Sequence, residues 1–377
     1  LRQEKSILIL TSHFGEGHIQ TAQTIANEFR AKGYSQVHVC DLYGEAYPAI
    51  HSLAQNLLKK GFSKFGAPFY KAFYYGTDKL SSRGLSYFYQ HLGKKRLMEL
   101  ANVYHPSLII TTFPLHAGPY LRSTLTIPTY TIITDYCAHP LWVHPKIEKY
   151  YVASEYVKNT LISYGVNDHQ ILVSGIPIRS NFQHLQPNTK HEFNLNKNKK
   201  TVTIMGGGLG LIPNLEPLLN SLSQNKKIQV AVVCGKNNVL RKHLNECATN
   251  WNKNIVILGY VPKIEKLLSM TDCLVTKSGA LSLTEAASLK LPIILFKPTP
   301  GQELENANYF LQQSAALTYK NKEELLDNIN KCLFDEKIRN RLSNQIYSLY
   351  NKHACPSIAV DILTHQKGNK TIRKRRV

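Results

Sequence analysis

Residues 6–18, SILILTSHFGEGH, run from an unbroken Ile/Leu segment straight into a loop carrying Gly15 and Gly17. An apolar run of this kind suits a strand buried on both faces, as in a parallel sheet. A helical pattern follows over 21–29. The second half of the chain opens in the same way. There TVTIM at 201–205 reads as a strand, Gly206-Gly207-Gly208-Leu209-Gly210 as a glycine loop, and 215–222 as a helix.

Further strands are expected at 37–40, 107–112, 129–134, 150–153 and 171–174 in the first half. The second half adds 230–234, 255–258, 273–276 and 292–296, with helices at 239–247, 264–270, 283–290 and 304–313. Strands alternating with helices predict an α/β chain. Two strand–glycine loop–helix openings predict two Rossmann-like domains, each with ligand-binding loops at the carboxyl ends of its strands. The Asn- and Lys-rich segment PNTKHEFNLNKNKK at 187–200 reads as the linker. The expected domains are therefore 1–186 and 201–366, followed by a solvated basic tail over 367–377. A cleft between the domains is the default active site.

The chain has 377 residues, 43% of them hydrophobic, which is enough to bury two cores and argues against disorder. Lys and Arg number 46 against 25 Asp and Glu, a formal charge of +21, so a polyanionic partner is expected: nucleic acid, anionic lipid or a phosphorylated substrate. No RRM, KH, zinc or helix-turn-helix signature supports nucleic acid, and none is expected as a partner. No apolar run approaches the roughly 18–20 residues of a spanning helix, and no secretory signal is visible. The seven cysteines are scattered without a CxxC pair, so neither a disulfide framework nor a zinc site is expected. The first residue is Leu rather than Met, and the chain is expected to lack its native start. Neither glycine loop fits GxGxxG or the P-loop. Such a loop can bind phosphate through bare N–H groups or can simply be a tight turn.

Specificity comes from longer motifs. The segments Thr276-Lys277-Ser278-Gly279-Ala280-Leu281-Ser282-Leu283-Thr284-Glu285-Ala286 and Lys297-Pro298-Thr299-Pro300-Gly301-Gln302-Glu303-Leu304-Glu305-Asn306-Ala307 resemble the nucleotide-sugar signature of GT-B-fold glycosyltransferases. With Gly15-Glu16-Gly17-His18, the likeness narrows to one group. It holds the peptidoglycan lipid-intermediate N-acetylglucosaminyltransferase, the plant monogalactosyl diacylglycerol synthases and the bacterial processive diacylglycerol β-glucosyltransferases. The block Ile133-Thr134-Asp135-Tyr136-Cys137-Ala138-His139 with Trp142-Val143-His144 is most similar to the last of these. So are Ser174-Gly175-Ile176-Pro177-Ile178-Arg179 and Leu258-Gly259-Tyr260-Val261. The resemblance spans about 7–363. One departure is Lys277-Ser278-Gly279-Ala280 where the family often has KPGG.

That resemblance implies an inverting transfer of glucose from UDP-glucose to diacylglycerol, repeated processively, at the cytoplasmic membrane face. The glycolipid would then serve as an anchor for lipoteichoic acid. Galactose as the sugar, the peptidoglycan intermediate as acceptor and a GT-B-fold UDP-sugar epimerase are the competing readings. Transfer needs a base for the acceptor hydroxyl, and His18, with an ordinary pKa of about 6.5, suits that role. Its bland reading is a ring N–H capping a carbonyl. Asp135 could orient His18, act as the base or cap a helix, while His139 is a further catalytic candidate and Glu16 a weaker base.

On the donor side Gly17 is a candidate contact, and Arg179 with the amides of Gly207, Gly208 and Leu209 is expected at the diphosphate. Tyr260 and Val261 are assigned to the uracil and Glu285 to the ribose. Ser278, Gly279 and Ala280 form the phosphate turn, and Gln302, Glu303 and Asn306 meet the hexose. No DxD pair is present, so activity without a tightly bound metal or cofactor is expected.

The acceptor side is assigned to 57–97, where aromatic residues alternate with Lys and Arg and only Asp78 opposes them. Such a mixture suits the headgroup layer of anionic lipid. Phe65, Phe69, Tyr70, Lys71, Phe73, Tyr74 and, further on, Trp142 are the expected membrane or acceptor contacts. The competing reading is an aromatic hairpin packed on its own domain.

Overall fold

The computed structural model describes residues 5–13, 16–46, 93–114, 124–185, 190–210, 212, 215–252 and 254–374. The chain divides into a first unit, Leu1–Arg179 with Asn351–Val377, and a second unit, Ser180–Tyr350. Each carries its own parallel sheet.

In the first unit the apolar run becomes β1 (Ser6–Thr11), with all six residues buried. It is followed by α1 (Glu16–Ala31), β2 (Val37–Asp41), α2 (Leu42–Ala46), α3 (Lys94–Tyr104), β3 (Pro106–Thr111), β4 (Thr129–Ile132), β5 (Ile147–Val152), α4 (Glu155–Ser163) and β6 (Ile171–Val173). The sheet order is β2-β1-β3-β4-β5-β6, and every neighbouring pair is parallel. Helix α1 starts at Glu16, not near 21, which places Gly17 and His18 in its first turn. Its inward stripe, Ala22, Ile25, Ala26 and Phe29, packs with Ile7 and Ile9 of the strand before it.

The second unit holds β7 (Lys200–Met205), α5 (Glu216–Ser223), β8 (Ile228–Val233), α6 (Asn238–Cys247), β9 (Ile255–Leu258), α7 (Ile264–Leu268), β10 (Cys273–Thr276), α8 (Ala280–Ser288), β11 (Ile293–Leu295), α9 (Gln302–Gln312), α10 (Lys322–Phe334) and α11 (Glu336–Ser348). Its order is β11-β10-β7-β8-β9, again entirely parallel. The glycine loop after β7 does not open directly into a helix: α5 begins only at Glu216. The loop after β10 does, because Gly279 is the N-cap of α8.

In each sheet the strand order reverses once, between β1 and β3 in the first and between β7 and β10 in the second. Connections leave the sheet to opposite faces at such a point, so the carboxyl ends there bound a crevice. Strand register sets the two loops of each crevice side by side: Leu10 pairs with Thr111, and Met205 with Thr276.

The first unit breaks after Arg179 rather than at 186, so the segment read as a linker, 187–200, lies within the second unit, and the sequence-based boundaries need two further corrections. The last helix, α12 (Ala354–Lys374), belongs to the first unit rather than to the domain assigned to 201–366. Its Ile358, Ala359 and Ile362 are fully buried against the first sheet's core. Asp361 accepts from Lys149 Nζ at 2.7 Å and from the Tyr151 hydroxyl at 2.9 Å, which fixes the helix to β5. Gln366 adds a bond to the Ser107 carbonyl on β3 at 3.1 Å. Apolar spacing marks α12 as amphipathic but cannot say which sheet it covers. The second correction concerns the tail: the backbone stays helical as far as Lys374, so most of 367–377 continues α12. Among the described residues no helix is long and apolar enough to cross a membrane.

If α12 completes the first core, Ile358→Ala will cost about 2–5 kcal/mol in urea unfolding. Val360→Ala on the exposed face of the same helix will stay within about 0.5 kcal/mol.

Candidate functional site

At the first crevice the side chain of His18 turns back from α1 onto the end of β3. Its Nδ1 lies 2.9 Å from the Thr112 carbonyl and 2.7 Å from Thr134 Oγ1. A carbonyl only accepts, so Nδ1 carries the proton and the Nε2 lone pair is left for a ligand. Among the described residues Nε2 makes no hydrogen bond. Thr112 also ties the backbone of this turn, because its hydroxyl donates to the His18 carbonyl at 3.0 Å. Phe113 meets the imidazole edge-on, with ring centroids 5.1 Å apart. Burial pushes the His18 pKa below the ordinary histidine range, partly offset by the Asp135 carboxylate and by the bond to Thr112. The ring is thus held neutral, in one tautomer, with its accepting nitrogen unused. The carbonyl-capping reading of His18 is the one seen here, and it leaves Nε2 as the acceptor of the ring.

Asp135 is buried two residues beyond the end of the buried Ile132–Ile133 run and acts on His18 through its charge. It does not cap a helix. That role falls to His139, whose Nδ1 accepts from the Leu141 N–H at 3.2 Å at the start of the short 3-10 turn Pro140–Trp142. With Nδ1 accepting, His139 carries its proton on Nε2. Trp142, expected with the outward aromatic surface, is only 3% exposed and belongs to the core, because the turn that His139 caps folds its indole inward. The segment 57–92, with Phe65, Phe69, Tyr70, Lys71, Phe73 and Tyr74, lies outside the described residues. Of the basic residues beyond it, Arg96 pairs with Glu45 at 2.8 Å and Glu99 at 3.1 Å. Glu45 is distant in sequence, so a local charge count misses it.

At the second crevice the loop after β7 and the loop after β10 touch. Gly207 has φ +70°, and a Cβ there would stand 3.0 Å from Lys277 Cε. The missing side chain lets the lysine lie across the loop. Lys277 Nζ pairs with Glu303 Oε1 at 2.7 Å, and Thr299 Oγ1 donates to Glu303 Oε2 at 2.8 Å. Ser278 is fully buried and donates to the Glu303 carbonyl at 2.6 Å, so its hydroxyl ties the turn to α9. Gly279 gives α8 no side-chain cap, leaving the amides of its first turn without a capping side chain. Ala280 and Glu285 are buried on that helix, and Asn306 on α9, where Gln302 opens the first turn.

A third loop, after β8, locks onto the first. Lys236 N–H donates to the Gly208 carbonyl at 2.9 Å, and Asn237 Nδ2 to the Gly210 carbonyl at 3.2 Å. Gly210, at φ +63°, leaves no room for a side chain, since a Cβ would fall on the Cys234 carbonyl oxygen. Gly208 and Leu209 are partly exposed between these contacts. Tyr260 is half exposed beside Val261, with Lys236 Nζ 5.6 Å above its ring. Gly17 and Arg179 belong to the first unit, and the other donor-side candidates to the second.

Four contributors escaped the sequence reading: Thr112, Thr134, Lys277 and Thr299. Lys277 stood inside a quoted motif, and its neighbour Gly279 was the available signal. Thr134 and Thr299 also stood inside quoted motifs; sheet pairing brings Thr112 and Thr134 to His18, whereas Thr299 meets Glu303 four residues along the chain.

The monogalactosyldiacylglycerol (MGDG) synthase family model matches residues 18–178, and the glycosyltransferase family 28 C-terminal domain model matches residues 201–356. A processive diacylglycerol beta-glucosyltransferase of Bacillus pumilus (strain SAFR-032) is 39% identical over 367 residues, covering 96% of each chain. The protein of the same description from Bacillus subtilis (strain 168) is likewise 39% identical over 367 residues, with 96% of each chain covered. Among solved structures, Acinetobacter baumannii MurG aligns with TM-score 0.62 at 16% identity, covering 96% of this chain and 99% of that one. UDP-GlcNAc 2-epimerase from Neisseria meningitidis, bound to UDP-GlcNAc, aligns with TM-score 0.65 at 14% identity, covering 96% and 100%. These two likenesses are of fold, and the fold is the GT-B class expected from the sequence.

Nitrogen NMR of the histidines tests the first crevice without any assay. His18 is expected as the Nδ1–H tautomer near neutral pH, protonating only below the ordinary value of about 6.5. A dominant Nε2–H form would contradict the assignment.

Proposed function

The chain belongs to the processive diacylglycerol β-glucosyltransferase family, and we propose that it moves glucose from UDP-glucose to the 3-hydroxyl of 1,2-diacylglycerol with inversion, and repeats the step on its own product. The observation that carries the chemistry is the unused Nε2 of a neutral His18. In a single displacement the acceptor hydroxyl gives its proton to Nε2 while its oxygen attacks the anomeric carbon. The bond from that carbon to the phosphate oxygen breaks, and its electron pair leaves with UDP. An α-linked donor then yields a β-linked product.

The negative charge developing on the leaving diphosphate falls to the second unit's loops. The uncapped first turn of α8 and the amides of Gly207, Gly208 and Leu209 supply N–H donors. Lys277 supplies a full positive charge, and Glu303 holds it in place while facing the hexose. Glu285 takes the ribose hydroxyls, and Tyr260 with Val261 flanks the uracil. Arg179 is a further cation for the diphosphate. None of these steps requires a tightly bound cofactor.

The acceptor is lipid, and the charge of +21 suits an anionic bilayer surface. We place the enzyme peripherally at the cytoplasmic face, resting on the basic aromatic stretch 57–97, and its product as an anchor for lipoteichoic acid.

The test is transfer of labelled sugar to diacylglycerol in anionic vesicles, with UDP-glucose, UDP-galactose and UDP-N-acetylglucosamine compared in parallel. Label from UDP-glucose alone, in mono- and diglucosyl lipid, is the expected result. Label from UDP-galactose instead would reassign the sugar, and none from any donor would reject the lipid acceptor. Lys277→Met is expected to lower kcat/KM by about 10–100-fold, the worth of one charge-assisted bond. As pH falls through the lowered His18 pKa the base is protonated, so kcat/KM will show an acidic limb below the ordinary histidine value.

A further inference from the structure

Helix α6 carries His243 and Cys247 four residues apart, on one face and one turn from each other. Against that face stands Glu216, in the first turn of α5. Glu216 Oε1 lies 2.6 Å from His243 Nε2, and Cys247 Sγ lies 3.9 Å from the same nitrogen. One ligand atom from each of the three residues falls within 4.8 Å of the other two. A carboxylate, an imidazole and a thiol of this kind converge on a point, not merely on a patch of charge.

We propose that Glu216, His243 and Cys247 form a binding site for a zinc-class divalent cation, outside the loops assigned to the nucleotide sugar. Tetrahedral zinc has bonds of about 2.0–2.3 Å to such ligands, which sets their atoms roughly 3.3–3.8 Å apart. The Cys247–His243 separation already meets that spacing to within a rotamer adjustment. Glu216 has only to back away from His243 by about 1 Å, and its half-exposed side chain does so without backbone movement. The donor set decides the metal. Thiolate and imidazole favour zinc or cobalt over magnesium and calcium, which take oxygen ligands. With three protein ligands the fourth position is left to water.

The site also has a structural consequence. Helix α6 starts directly after the Lys236–Asn237 turn, which is bonded to the glycine loop that precedes α5. A cation held by both helices would close a second link across the same pair of elements, and ligand binding to the native state raises stability by mass action.

The experiment is titration of the full-length, metal-free protein with cobalt(II), followed by displacement with zinc. One equivalent should give a thiolate-to-cobalt charge-transfer band and tetrahedral visible bands, with a rise in the melting temperature. His243→Ala and Cys247→Ser are both surface changes that leave the circular dichroism unchanged, and each should abolish the thiolate band. Absence of the band in the parent protein would overturn the proposal. So would a band that survives in Cys247→Ser, since another cysteine would then be the ligand.

Discussion

A parallel sheet whose strand order reverses has to send its connections to opposite faces at the reversal, and the gap this leaves at the carboxyl ends is the constraint on which both units are built. Between β1 and β3 the gap receives His18, and between β7 and β10 it receives Lys277 across Gly207. The two crevices answer different chemical needs from one geometry. The first presents a neutral accepting nitrogen, while the second presents N–H groups, a helix N-terminus and a cation. Proton removal from a hydroxyl and stabilisation of a leaving diphosphate ask for those two environments.

Within each crevice the functional group is prepared by a neighbour that the chemistry does not consume. The Thr112 carbonyl fixes the His18 proton on Nδ1, and burial keeps the ring from taking a second one. Glu303, gripped by Lys277 and Thr299, fixes the ammonium beside the glycine loop. Gly207 and Gly210 matter for the space they leave rather than for flexibility in general: one admits the lysine, and the other lets the Cys234 carbonyl approach.

The strands were legible because a buried parallel strand is a short apolar run, and β9 and β10 match the expected 255–258 and 273–276 residue for residue. The glycine loops and the nucleotide-sugar motifs were legible because they are contiguous. Most of what the sequence hid depends on contacts between distant segments. Helix α12 returns to the first unit through Asp361 with Lys149, 212 residues apart. Trp142 reads as an interfacial aromatic until the turn capped by His139 folds it inward. Ser278, expected at a phosphate, spends its hydroxyl on the Glu303 carbonyl instead. The Glu216, His243 and Cys247 cluster escapes a search for CxxC because its ligands come from two helices.

The proposed mechanism divides the labour, giving His18 the acceptor's proton and the second unit's loops the UDP. His18→Gln separates the two most directly, with UDP affinity measured by calorimetry and glucosyl transfer to diacylglycerol measured on the same preparation. The predicted result is UDP affinity within about twofold of the parent protein and a transfer rate lower by about 10²–10⁴-fold, the usual contribution of a general base. Near-parental transfer, or UDP binding lost together with transfer, would contradict it.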